Sequence, residues 1–101
     1  MPDNSFIAYV APSDLHDGRI NKVTPLGDTV TVEVAGESGR SISLVFRGVT
    51  DVQAVEPVGM ILYALSEMRT TPPLRRFVFI NWDEESSARL EILAEGLQVE
   101  D

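Results

Sequence analysis

The sequence predicts a mainly β protein, an antiparallel meander folded into a sandwich or partly open barrel. Three observations predict it. Residues 29–49, TVTVEVAGESGRSISLVFRGV, hold two apolar/polar alternations around a glycine-bearing turn. Residues 75–82 and 88–94 carry two further runs with the period of two that places successive side chains on opposite faces of a strand. Turn signals separate these runs at short intervals, so that successive hairpin-like units imply antiparallel pairing.

Taken in order, residues 1–5 read as a loose end and residues 6–10, FIAYV, as a first strand. Pro12 interrupts it, since proline cannot donate to a ladder, and Ser13 or Asp14 is placed to cap a single helical turn running to His16. Asp17-Gly18 is a turn signal. Residues 19–24 form a weak, bent strand around Ile20 and Val23, and Pro25-Leu26-Gly27-Asp28 punctuates it. The hairpin follows, with Val30, Val32 and Val34 alternating with polar residues in its first strand and Ile42, Leu44 and Phe46 in its second. Its connection, residues 35–40, carries two glycines, and a loop longer than two residues is expected. Residues 48–56 have valines at intervals of three and read as an irregular segment or short strand.

Residues 57–69 carry competing signals. Pro57 suits the first position of a helix, and Val58, Ile61, Leu62, Leu65 and Met68 would share one helical face. The composition favours helix, whereas Gly59 weakens one by about 1 kcal/mol and Ile61, Tyr63 and Leu65 follow a period of two. The alternative architecture is therefore α+β, with one helix near residues 58–69. Residues 70–74, TTPPL, form a loop. In residues 75–82 Phe77 and Phe79 lie on one face and Val78, Ile80 and Trp82 on the other, which predicts burial on both sides. Residues 83–87 are an acidic turn. In the last run Leu90 and Ile92 face inward, and Gly96 is placed to kink the chain before Leu97 and Val99. The candidate core is Val30, Val32, Val34, Ile42, Leu44, Phe46, Phe77, Phe79, Leu90 and Ile92. Each large side chain there, fully buried, stabilises by about 1.5–3 kcal/mol before entropy is subtracted.

The 101 residues suit one domain, spanning 1–101. A net charge of -8 argues against nucleic acid and anionic membrane surfaces, whose binding runs on Lys and Arg, and favours a basic protein partner. The absence of cysteine removes disulfides and thiolate chemistry and favours a reducing compartment. No run approaches the roughly 20 apolar residues of a membrane span, and the first ten residues lack the basic region of a signal peptide. The expected location is cytoplasmic.

Candidate chemistry is sparse. His16-Asp17 pairs a potential base with a carboxylate, but adjacent extended residues point apart, and a local turn or core-edge hydrogen bond is the reading retained. Gly36-Glu37-Ser38-Gly39-Arg40 has Arg40 where a nucleophile elbow needs glycine, and it lies between strands. Asp83-Glu84-Glu85 lacks the ligand spacing of a calcium loop. Arg69, Arg75 and Arg76 form the one basic cluster, suited to neutralising acidic strands or to holding an anion. Trp82 and Tyr63 are candidate interface anchors, with core packing favoured for Trp82. No catalytic, cofactor-binding or metal-binding residues are assigned.

The layout Leu15-His16-Asp17-x-x-Ile20, then an alternating hairpin, then Leu44-x-Phe46-x-Gly48-Val49, resembles small uncharacterised bacterial β-rich proteins. Some of these are similar to immunity proteins of bacterial toxin systems, which act by binding. The resemblance implies a β-rich fold with residues 60–68 extended, and carries over no catalytic residue. The expected function is a non-enzymatic protein-binding or interaction domain, immunity-like in the sense of that resemblance. A homo-oligomer joined through sheet edges is compatible with it. The alternative is a small enzyme or ligand-binding domain with a pocket near His16 and the Arg69, Arg75 and Arg76 cluster.

Overall fold

Alternation dictates which side chains are buried, and the computed structural model, which describes residues 6–100, shows the result as two antiparallel sheets packed face to face. The reading of residues 1–5 as a loose end lies outside the described residues. The strands are β1 (Phe6–Val10), β2 (Arg19–Leu26), β3 (Thr29–Ala35), β4 (Ser41–Arg47), β5 (Asp51–Val55), β6 (Leu62–Met68), β7 (Arg75–Asn81), β8 (Arg89–Ala94) and β9 (Gly96–Glu100). One sheet has the order β1-β6-β7-β8-β5 and the other β2-β3-β4-β9. A meander of three consecutive strands lies in each, and β1, β5 and β9 add to them from a distance in sequence. Apart from one isolated bridge, Arg19 to Ile61, the two sheets do not pair with each other among the described residues, so the architecture is a sandwich and not a closed barrel.

All ten candidate core residues are buried, and Val32, Val34, Ile42, Leu44, Phe46, Phe77 and Ile92 are fully so. Phe46 of one sheet meets Phe77 and Phe79 of the other edge-on, with centroids 5.1 and 5.9 Å apart. Such offset aromatic contacts add to plain area burial. Leu15, Ile20, Met60, Leu62, Leu65 and Ala94 complete the core.

Two corners carry the chain between the sheets, and the two sequence motifs mark them. At the first, Asp17 N–H donates to the Leu62 carbonyl (2.8 Å), Leu62 N–H to the Gly18 carbonyl (2.8 Å) and Ile20 N–H to the Met60 carbonyl (3.0 Å). The start of β2 is thereby tied to the approach to β6, with Leu15 and Ile20 plugged into the core. At the second corner, β4 runs into β5 through Gly48, which has a φ of +67°, and Val49. Beside it β8 runs into β9 through Glu95 alone, whose N–H donates to the Arg47 carbonyl (2.9 Å). The kink expected at Gly96 is this corner.

The helix considered near residues 58–69 does not form; the segment supplies β6, hydrogen-bonded to β1 on one side and β7 on the other. Gly59 has a φ of +94°, incompatible with a helix. The helix-like spacing of Leu62 and Leu65 has a different origin. The register with β7 slips between Leu62 and Ala64, so one extra residue lies between two inward-facing leucines.

A second expectation is corrected at β7. Phe77 and Phe79 are buried, but Val78 and Ile80 are only half-buried and Trp82 is 55% exposed. No described layer covers that outer face.

Candidate functional site

Several aromatic side chains gather where β6 and β7 meet the first corner, and local backbone features put them there. The extra residue in β6 is Tyr63. A bulge re-aims the side chain it carries, and Tyr63 is 43% exposed. Trp82 lies just past the end of β7, its N–H donating to the Ile61 carbonyl at 2.9 Å. The two rings stack, with centroids 5.6 Å apart and planes 7° from parallel. His16 closes the group edge-on, at 5.2 Å from Tyr63 and 5.9 Å from Trp82.

His16 is fixed by its backbone. A short 3-10 turn, Ser13–Leu15, delivers it, and Asp17 follows in the left-handed region (φ +66°). Nδ1–H donates to the Tyr63 carbonyl at 2.7 Å, which assigns the proton to Nδ1. Nε2 lies 3.7 Å from the Asp17 carboxylate. Of the local turn or core-edge hydrogen bond expected of His16, the second is present as a long-range bond, and its partner is the bulged tyrosine.

Neither Ser13 nor Asp14 caps the turn; Pro12 stands at the cap position, with no side-chain hydrogen bond. Asp14 instead holds the β3–β4 loop, accepting from Ser38 N–H (3.1 Å) and Ser38 Oγ–H (2.7 Å). These bonds, the hydroxyl's foremost, hold the Asp14 carboxyl below its ordinary range. The GESGR stretch is thus a hairpin loop tied to the chain before it.

The arginines stand elsewhere. Arg75 and Arg76 begin β7, and His16 lies against Trp82 beyond its other end, about 20 Å away at roughly 3.3 Å per residue. Arg75 makes a two-pronged bond to Glu67, Nε to Oε2 at 3.0 Å and Nη2 to Oε1 at 2.7 Å, and its guanidinium lies 5.0 Å from the Phe77 ring centroid. The Arg75 bond is the main cause holding Glu67 below its ordinary value and raising Arg75. Arg76 pairs with Glu91 across the sheet. These two side chains neutralise acidic neighbours, and the structure does not bring His16 together with them.

The acidic turn is ordered by its own polar groups. Asn81 Oδ1 accepts from Asp83 N–H (2.8 Å), Asn81 Nδ2 donates to the Ala88 carbonyl (3.0 Å), and Asp83 Oδ1 accepts from Glu85 N–H (3.0 Å). This turn places Glu84 on a cleft of about 440 Å³ shared with Tyr9, Tyr63, Ile80, Asn81 and Trp82. A neighbouring cleft of about 320 Å³ also borders Trp82 and adds Glu56 and Asp83. Among the described residues no group of three or more His, Asp or Glu is arranged to hold a metal ion, and no helix is long and apolar enough to cross a membrane.

The sequence singled out Tyr63 and Trp82 but assigned Trp82 to the core; it treated Glu84 only as part of an acidic turn and gave no role to Tyr9. The signal that could have found the site was the uncharged outer face of residues 78–82, read instead as a second buried side. Compared with known proteins, the chain matches no family model, no curated protein and no solved structure.

Proposed function

We propose that this chain is a non-enzymatic protein-binding domain of the bacterial cytoplasm that engages a basic protein through the aromatic end of its five-stranded sheet. One observation carries the reading. Tyr9, Tyr63 and Trp82 are 62%, 43% and 55% exposed at one end of the sheet's uncovered outer face. Clustered exposed aromatics are costly to leave in water and are the residue types that dominate interface energetics. The net charge of -8 selects a cationic partner and repels nucleic acid and anionic membranes. The resemblance of the two corner motifs to immunity-type proteins is in keeping with a role exercised by binding alone.

Affinity capture from a bacterial lysate tests this, comparing the wild-type chain with a Tyr63→Ala/Trp82→Ala double variant. The expected result is one basic protein retained by the wild type, released by salt and absent from the variant. Equal retention by both chains would overturn the reading. So would a salt-insensitive dimer of this chain that the double substitution dissolves, because the face would then join two copies.

A further inference from the structure

We infer that the cleft formed by Tyr9, Tyr63, Trp82 and Glu84 is the seat of an arginine side chain of the basic partner; this rests on the function proposed above. The stacked Tyr63–Trp82 pair presents flat π surface, whose quadrupole attracts a cation. His16, packed edge-on against both rings, holds the pair in place. Tyr9 lines the same cleft and is steadied in turn by Phe6, edge-on at 5.0 Å.

The polar groups of the cleft narrow the choice further. The side-chain oxygen and nitrogen of Asn81 are both engaged with backbone of the acidic turn. Glu84 is the charged residue on the wall, and an ionised carboxylate only accepts hydrogen bonds. No lysine or arginine among the described residues lines this cleft or its neighbour. Aromatic faces beside an acceptor reject anions and select a donor-rich cation. Between the two cationic side chains, guanidinium fits better. It is planar and stacks on rings, it forks onto carboxylate oxygens, and it sheds water more readily than ammonium. The Glu56 and Asp83 carboxylates of the adjoining cleft extend the attraction to basic residues next to the arginine.

Trp82 is the one tryptophan in the chain, so its indole reports the site without labelling. The probes are acetyl-Gly-Arg-Gly-amide and its citrulline and lysine counterparts, titrated at low salt and read by Trp82 fluorescence and the indole N–H resonance. Citrulline keeps the shape of arginine and loses the charge. The expected result is saturable binding of the arginine peptide, at least about fivefold tighter than the citrulline peptide and tighter than the lysine peptide. Glu84→Gln should weaken the arginine peptide severalfold and leave the citrulline peptide unchanged. Tyr63→Ala should abolish binding, with unchanged circular dichroism showing that the fold persists. No saturable response, equal binding of citrulline, a preference for lysine, or indifference to Glu84→Gln would each overturn the assignment. Aromatic-dependent capture of a partner without arginine binding would sink this seat and leave the broader function standing. Arginine binding without any captured partner would do the reverse.

Discussion

Glu67 lies on the core side of β6, in register with Phe77, and only its bond to Arg75 makes that position tolerable for a carboxylate. Because that bond depresses its folded pKa, Glu67 contributes stability that is complete above its ordinary value of 4.5 and is lost as pH falls through the lower folded value. Urea unfolding measured from neutral pH into the acid range should show this loss, and Glu67→Gln should flatten the curve there. At neutral pH Glu67→Ala should cost about 1 kcal/mol, since the freed Arg75, already 39% exposed, can turn to water. Gly18 is constrained by space. A Cβ there would lie 2.9 Å from both the Leu15 carbonyl oxygen and a Val34 methyl. Gly18→Ala should therefore destabilise by about 1–3 kcal/mol by overpacking the first corner, a shift readable in thermal melts.

Among the elements, β6 separates what pattern can show from what it cannot. Where partners lie on both sides and one face meets the core, as in β3 and β4, alternation alone indicated which side chains are buried. In β6 a single inserted residue turns a period of two into an interval of three, and composition then speaks for helix. Nothing local reveals the bulge, because the slip is defined only against β7. The two structures predict different mutants. In a helix Val58 and Leu65 share a buried face, so that truncating either is expensive. In the structure Val58 lies in the turn before β6 and is 60% exposed, while Leu65 in the strand is buried. Leu65→Ala should cost about 2–5 kcal/mol in urea unfolding, and Val58→Ala less than about 0.5 kcal/mol.

For the whole molecule, two sheets joined at two corners leave the outer face of each uncovered among the described residues, and the proposed site lies on that of the five-stranded sheet. The sequence showed that Val78, Ile80 and Trp82 share a face, but not whether another layer covers them, because that depends on how many strands pair with which neighbours. Likewise, His16 and Arg75 look combinable in sequence and lie near opposite ends of β7 once the strand is laid out. Since the aromatic end is peripheral to the core, Tyr63→Ala and Trp82→Ala should each change stability by no more than about 1 kcal/mol while removing partner capture. Equilibrium unfolding alongside the capture experiment checks that separation.

The most direct test is quenching of Trp82 fluorescence in dilute native protein by caesium, iodide and acrylamide. An indole exposed beside Glu84 and Asp83 should be quenched readily by acrylamide and more strongly by caesium than by iodide, with the caesium preference fading as salt is raised. An indole shielded from all three quenchers, or one that favours iodide, would contradict an exposed, acid-flanked aromatic surface.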